Sequence, residues 1–158
     1  MSAEFNVRVM SKRSGSVKAA TILGVPVFVH WSFCIGGLLL SAVTGFNLVE
    51  SLYYSIAYVF LIAIHEAGHF FAARSLGLAV FSIEISGLGG QCKIQPPRAI
   101  RDTLFVVSAG LLAQCALLLA TVLFIAAFGP PHTPFWKCMA NTFTIYNGVL
   151  FLMNIIPR

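Results

Sequence analysis

Residues 52–73 read LYYSIAYVFLIAIHEAGHFFAA, an apolar run that contains the pattern H-E-x-x-H at His65, Glu66 and His69. The run is long enough for a membrane-spanning helix, which takes about 20 residues. Ionisable side chains are costly in hydrocarbon, so three of them within about one helical turn need a functional reason. This stretch therefore predicts a spanning helix that carries a reactive site.

The composition of the chain also indicates a membrane protein. Of its 158 residues, 58% are hydrophobic and 9% are charged, whereas a soluble domain has about 25% charged residues. The net charge of +5 does not indicate nucleic-acid binding, because the basic residues flank apolar segments and do not lie on an aromatic-studded polar face. The four cysteines show no C-x-x-C spacing, so neither a disulfide framework nor a cysteine zinc site is indicated.

Four apolar segments are long enough to span a membrane: 26–46, 52–73, 103–128 and 135–156. The links after the first and third segments are short, which favours antiparallel neighbours. The pattern predicts an all-α membrane protein with about four transmembrane helices. Residues 1–25 are interpreted as a basic N-terminal segment in the cytoplasm, and residues 26–158 as the transmembrane core.

The loop between the second and third segments has a different pattern. Phe81, Ile83 and Ile85 alternate with polar residues, which indicates a strand. A glycine-rich turn at 87–90 and a return strand at 91–95 complete the prediction of a small membrane-associated β-hairpin. The alternative is an irregular glycine-rich loop.

The basic residues predict the orientation of the chain in the membrane. They precede the first segment at Arg8, Lys12, Arg13 and Lys18, and they follow the second at Arg74, Lys93, Arg98 and Arg101. By the positive-inside rule, both termini and the hairpin face the cytoplasm. We therefore expect an integral multi-pass protein of the cell membrane, with the lipid bilayer as its surroundings. If Arg74 marks the cytoplasmic end of the second helix, His69 lies about 7.5 Å and His65 about 13.5 Å deeper.

The H-E-x-x-H pattern has a specific chemistry on a helix. His65 and His69, four residues apart, share one face and can bind one Zn²⁺ ion through their ring nitrogens. Glu66, beside the first ligand, is placed to act as a general base in peptide hydrolysis. The alternative is a pair of helix histidines that hydrogen-bond to neighbouring backbone or side chains.

A membrane-spanning substrate would have to unwind, because its carbonyls are tied up in helical hydrogen bonds. An exposed strand edge could hold the unwound segment by adding it to the sheet. The hairpin at 80–95 is the predicted edge.

Several motifs of the chain resemble those of the site-2 protease family of intramembrane zinc metalloproteases. They are the H-E-x-x-H, the stretch GVPVFVHWS at 24–32, the glycines at 87–90, Ser108-Ala109-Gly110 and the N-x-x-P at 154–157. After Gly110, Leu111 and Gln114 stand where family members often have Pro and Asn.

The resemblance implies a zinc endopeptidase that cleaves membrane-spanning substrates in regulated intramembrane proteolysis. By the same resemblance, His65 and His69 would bind zinc and Glu66 would be catalytic. Asn154, Gly89 and Gly90 would bind substrate or support the site.

The family's third zinc ligand is an aspartate in an L-D-G motif that follows N-x-x-P, and this sequence stops at Arg158 without it. The expectation is either a chain truncated before that motif or one that does not bind zinc as its relatives do. The other candidate ligands are poorer: Asp102 is expected to cap the third helix, Glu84 to lie on the polar side of the hairpin, Glu50 at the opposite membrane face, and His30 at the start of a helix.

Two other functions remain open. One is a truncated or catalytically inactive relative that binds a membrane partner. A haem-binding or transport bundle ranks last, since haem between helices needs histidines on facing helices. The oligomeric state is not indicated by the sequence.

Overall fold

A computed structural model describes residues 15–42, 45, 47–87 and 89–155. Expectations about residues 1–14, which hold Arg8, Lys12 and Arg13, lie outside the described residues. The same is true of 43, 44, 46 and 88 and of 156–158, which include the proline of N-x-x-P.

The described chain is mostly helical, with one small sheet. In chain order the elements are β1 (Ser16–Ile22), β2 (Val25–His30), α1 (Phe33–Ser41), α2 (Leu48–Ser75), β3 (Val80–Ser86), β4 (Gly89–Ile94), α3 (Ile100–Phe128), α4 (Pro134–Asn141), a π-helix (Thr142–Tyr146) and α5 (Asn147–Ile155).

Helix α2 has clear sequence signals at both ends. The Asn47 side chain caps it by accepting hydrogen bonds from the backbone N–H groups of Val49 and Glu50, at 3.0 and 3.3 Å. The helix ends in a Schellman motif, in which Gly77, at φ 71°, donates to the carbonyl of Arg74. These signals fix α2 as the long helix that carries the H-E-x-x-H.

Two of the four expected spans are borne out by length and composition. Among the described residues, α2 and α3 are the helices that are long and apolar enough to cross a membrane. The expected fourth span falls on the run of α4, the π-helix and α5, which is divided into shorter helices. Large apolar side chains of α3, such as Leu112 and Leu119, are exposed, which suits a lipid surrounding.

The expected first span, over residues 26–46, is corrected by the structure. Residues of this segment form strand β2 and then the short helix α1. Val25 and Val27 are buried on one face of β2, and β2 pairs in parallel with β3 through Val27 and Ile83. β2 also pairs antiparallel with β1. An apolar run by itself does not distinguish a strand from a helix.

The expected hairpin is present as β3 and β4, but it belongs to a larger sheet. The sheet has the order β1-β2-β3-β4, with the pairs antiparallel, parallel and antiparallel. The expectation of an all-α fold with a lone hairpin is therefore corrected. The return strand begins at Gly89 instead of residue 91, so Gly89 and Gly90 lie within β4. β1 and β4 are the edge strands.

The apolar face of the sheet packs along α2. Its core joins Val25, Val27, Ile83 and Ile85 of the sheet to Tyr58, Ile62 and Phe70 of α2. The Tyr58 hydroxyl donates to the carbonyl of Gly87 in the hairpin turn, at 2.9 Å. Tyr58 lies about 25 Å along the helix from its last residue. The sheet thus extends beside α2 past the level of the H-E-x-x-H.

Candidate metal centre

The two histidines of the H-E-x-x-H point their ring nitrogens at each other. Nε2 of His65 and Nε2 of His69 are 3.0 Å apart. Two nitrogens at about 2.0–2.1 Å from one tetrahedral Zn²⁺ ion stand about 3.3 Å apart, so the pair is close to a ligating arrangement. The ligand atoms of His65, Glu66 and His69 all lie within 4.8 Å of one another.

Helix α3 fixes the orientation of the second histidine. Nδ1 of His69 is 2.7 Å from the backbone carbonyl of Val106. Since a carbonyl can only accept, Nδ1 carries the proton and Nε2 keeps a free lone pair. A hydrogen bond of this kind sets the tautomer of a metal-binding histidine and raises its basicity.

Small residues let α3 approach the histidines closely. A Cβ atom at Gly110 would overlap Nε2 of His69 and would stand 2.7 Å from Cε1 of His65. On the facing side, a Cβ atom at Gly68 would overlap the backbone carbonyl of Ala109. The glycine inside the H-E-x-x-H therefore serves the contact between α2 and α3, despite its cost of about 1 kcal/mol in a helix.

Glu66 is held against the backbone of β4. Its side chain is 2% exposed, and a Cβ atom at Gly90 would overlap its carboxylate. The backbone N–H of Cys92 is a hydrogen-bonding neighbour of the same carboxylate. The absence of a side chain at Gly90 thus makes the room that the Glu66 carboxylate occupies.

Oε2 of Glu66 is buried and lacks a hydrogen-bond partner among the described residues. Buried polar atoms are nearly always satisfied, so this open position suits a water molecule or a bound group. His65 has hydrogen-bonding neighbours in the side chain of Gln114 and the backbone of Gly110. The two imidazoles fit two positions of a Zn²⁺ ion, and the Glu66 carboxylate lies beside them.

A cavity of about 40 Å³ adjoins the histidine pair. This volume is enough for a water molecule, which needs about 10–15 Å³. The lining residues come from α2, β4, α3 and α5: Ile62, His65, Glu66, Gly89, Gly90, Gln114, Leu150 and Asn154. The structure therefore brings Asn154, Gly89 and Gly90 to the same cavity as His65 and Glu66. Their roles remain predictions.

Gln114 lies at this cavity and was not assigned a role from the sequence. Its side chain is 1% exposed, and its Oε1 accepts a hydrogen bond from Nδ2 of Asn154 at 3.4 Å. The available signal was a lone polar amide within an apolar segment of spanning length, which is uncommon unless the residue has a function.

The other candidate ligands lie away from the centre. Glu84 is on the polar face of the sheet, as expected, but it is buried there and accepts from the Ser16 hydroxyl at 2.8 Å. His30 ends strand β2 instead of starting a helix, and its Nδ1 lies 2.7 Å from the Ser32 hydroxyl. Asp102 is in the first turn of α3, where Ala99 is the cap, and Glu50 is in the first turn of α2. Within the described ranges, His65, Glu66 and His69 are the group that could hold a metal.

Cys92 is close to the centre but is not a suitable third ligand. The atoms that could bind one metal ion, all within 4.8 Å of one another, come from His65, Glu66 and His69, and the Cys92 thiol is not among them. Cys92 contributes instead to the core between the sheet and α2.

Comparison with known proteins bears on the fold. No protein-family model matches the chain, and no curated protein matches it in sequence. Among solved structures, the fold is similar to that of the site-2 protease from Methanocaldococcus jannaschii, with a TM-score of 0.69 at 18% sequence identity. The match covers 85% of this chain and 63% of that protein. At this identity the likeness shows an intramembrane-protease-like fold.

Proposed function

We propose that the chain is a zinc-dependent endopeptidase that cleaves membrane-spanning protein segments within the bilayer. The observation that carries the proposal is the geometry of His65, Glu66 and His69 on one turn of an apolar helix of spanning length. The similarity of the fold to a site-2 protease supports it.

His65 and His69 would hold the metal through their Nε2 atoms, which face each other at 3.0 Å. Bound there, Zn²⁺ supplies Lewis acidity, which makes a water molecule more acidic and polarises a peptide carbonyl. A catalytic zinc site usually has three protein ligands. Beyond the two histidines and Glu66, the described residues bring no other His, Cys, Asp or Glu into this group. The proposal therefore requires a third ligand from another source.

Glu66 would act as the general base. Its carboxylate is buried at the wall of the cavity, and Oε2 is left without a hydrogen bond from the described residues. From this position Glu66 takes a proton from the attacking water and passes it to the nitrogen of the leaving amine.

β4 would hold the substrate. It is an edge strand, and its residues Gly89 and Gly90 line the cavity beside Glu66. An unwound substrate segment that pairs with β4 would lie with its backbone next to the carboxylate and the histidines. Glycines at this point let another backbone approach closely.

The proposed setting is a multi-pass protein of the cell membrane with both termini in the cytoplasm. It rests on the apolar helices α2 and α3, on Arg74 in the last turn of α2 and on the basic residues that follow this helix. In this orientation the metal centre lies in the cytoplasmic half of the bilayer. Lipid and a membrane-spanning substrate are then the partners.

Zinc content and turnover of purified variants test the proposal. We expect one zinc per wild-type chain, loss of zinc in His65→Ala and retention of zinc in Glu66→Gln, with turnover lost in both. His132→Ala is the matched control, because His132 is exposed in the link after α3 and should change neither property. A wild-type chain without zinc at neutral pH would contradict the proposal and favour an inactive relative that binds a partner.

A further inference from the structure

Gln114 is unusual among the residues of α3. Most of this helix is exposed, and its buried residues are Val106, Gly110 and Gln114. They are spaced four apart, so they form one stripe on the side that faces the histidines. Val106 accepts from His69 and Gly110 touches both rings. Gln114 continues the stripe to the cavity.

The hydrogen bonds of Gln114 show which of its groups remain available. Its side-chain oxygen accepts from Nδ2 of Asn154 at 3.4 Å, and its backbone carbonyl accepts from Nδ2 of Asn147 at 2.9 Å. A glutamine carboxamide has one acceptor oxygen and one N–H₂ group with two donors. The side chain of Gln114 is also a hydrogen-bonding neighbour of His65, where the oxygen is the group that can accept from the ring. With the oxygen engaged by α5 and by His65, the amide nitrogen is the group left to donate at the cavity.

We propose, on the premise of the proposed function, that Gln114 is a catalytic residue which donates an amide N–H to the carbonyl oxygen of the scissile peptide. The water oxygen forms a bond to the carbonyl carbon, and the electron pair of the C=O bond moves to the carbonyl oxygen. Glu66 takes the proton of the water. Gln114 stabilises the resulting negative charge by a hydrogen bond and transfers no proton.

The site favours this kind of donor. Gln114 lines the same cavity as His65 and Glu66, so a carbonyl that reaches the metal centre enters the space that the amide borders. A neutral amide avoids the cost of a charged Arg or Lys at a buried intramembrane position. Donors that are fixed before the charge develops are the effective ones, and removal of one such donor lowers kcat by about 100- to 1000-fold.

The test compares Gln114→Met, which keeps the length of the side chain and removes the donor, with the wild-type chain. Two probes are used: a fluorogenic peptide rich in Leu and Ala, and its phosphonamidate analogue, whose tetrahedral anionic phosphorus group imitates the charged carbonyl. With both proteins fully loaded with zinc, we expect kcat and phosphonamidate affinity to fall about 100-fold, with KM and affinity for the uncleaved peptide retained.

The same substitution in an Asn154→Ala background separates donation from a supporting role. If Gln114 donates by itself, Gln114→Met lowers phosphonamidate affinity in this background too. If it only orients Asn154, the two effects are not additive and the further loss disappears, which would overturn the inference. Should Gln114→Met fail to fold, Gln114→Leu also removes the amide donor, introduces no new hydrogen-bonding or metal-binding group and is expected to show the same loss.

The outcomes also distinguish this inference from the proposed function. A wild-type chain that cleaves the peptide, with Gln114→Met or Gln114→Leu equal to it, overturns the role of Gln114 alone. A wild-type chain that binds neither zinc nor the phosphonamidate overturns the proposed function and this role with it.

Discussion

His69 donates its Nδ1–H to the backbone carbonyl of Val106 at 2.7 Å, and this bond joins the metal-binding helix to α3. Because the acceptor is a backbone group, the bond depends on the distance between the two helices and not on the side chain at 106. That distance is set by Gly68 and Gly110, where any side chain would overlap the facing helix. The two glycines thus control the orientation of the His69 imidazole, although neither of them hydrogen-bonds to it.

Gly110→Ala should therefore weaken zinc binding. The added methyl group would overlap Nε2 of His69 and approach Cε1 of His65, so one ring must move. Loss of the support of a ligand typically lowers metal affinity about 10- to 100-fold. Competition with a chelator measures the change. Gly148→Ala is the control, because a Cβ atom there meets nothing within 4 Å, and zinc affinity equal in both variants would contradict the prediction.

Gly90→Ala should lower turnover without weakening zinc binding. Its methyl group would displace the carboxylate of Glu66 and leave His65 and His69 in place. We expect full zinc content and a fall in turnover of about 100-fold, since a general base contributes about 100- to 10,000-fold. Metal analysis and peptide cleavage on the same preparation check both parts. Normal turnover in this variant would exclude Glu66 as the base in its observed position.

Local sequence patterns predicted those parts of the structure that depend on nearby residues. The i, i+4 spacing placed His65 and His69 on one face of α2, and the alternation of Ile83 and Ile85 predicted β3. Each of these features is decided within one or two turns of helix or a few residues of strand. The glycine-rich turn was also visible, although Gly89 and Gly90 belong to β4 instead of the turn.

Strand β2 was missed although one of its two partners is local, since it forms a hairpin with β1 across the turn at 23–24. Val25 and Val27 alternate inside an apolar run of spanning length, and such a run is compatible with a helix. It is a strand because it pairs with β1 on one side and with β3 on the other, where Val27 meets Ile83 beyond the whole of α2. Pro26 gave no warning, because it stands at the first residue of the expected span, where a helix tolerates proline.

Gln114 was visible as a departure in composition, but its position was not. A single amide in an apolar helix indicates a polar partner without naming it. The facing direction follows from the contact of Val106 and Gly110 with the histidines, which is known only once α3 is placed against α2. The site was therefore predictable in its metal-binding half and not in the half that α3 and α5 contribute.

Tyr58→Phe should loosen the sheet from α2. The hydroxyl of Tyr58 donates to the buried carbonyl of Gly87 at 2.9 Å, and the substitution leaves that carbonyl unsatisfied. We expect the free energy of unfolding to fall by about 1–3 kcal/mol, measured by denaturant or thermal unfolding in detergent. Tyr53→Phe is the control on the same helix, because the Tyr53 ring keeps its edge contact with Phe135. Equal stability of the two variants would contradict the role of the Tyr58 hydroxyl.

The position of the sheet beside α2 indicates whether water or lipid surrounds its edge strand β1. β1 is an edge strand, its residues after Ser16 are exposed, and they include Lys18. Open sheet edges do not occur in hydrocarbon, because their unpaired N–H and C=O groups would lack hydrogen bonds. The sheet reaches the level of Tyr58, which is beyond the histidines. We therefore expect water along β1 at the level of the metal centre, on the side of α2 that the sheet covers.

Thiol accessibility tests this expectation. In a background without the four native cysteines, Val17→Cys places a thiol on β1, and Leu119→Cys places one in the middle of α3; the native side chains are 67% and 59% exposed. Because their exposure is similar, a difference in reactivity reports the solvent and not the packing. A membrane-impermeant maleimide should label position 17 and spare position 119 in intact proteoliposomes whose sheet side faces outward. Both positions should react after the bilayer has been dissolved in detergent. Labelling of 119 with protection of 17 would place the sheet in lipid, and the path by which water reaches Glu66 would then have to lie elsewhere.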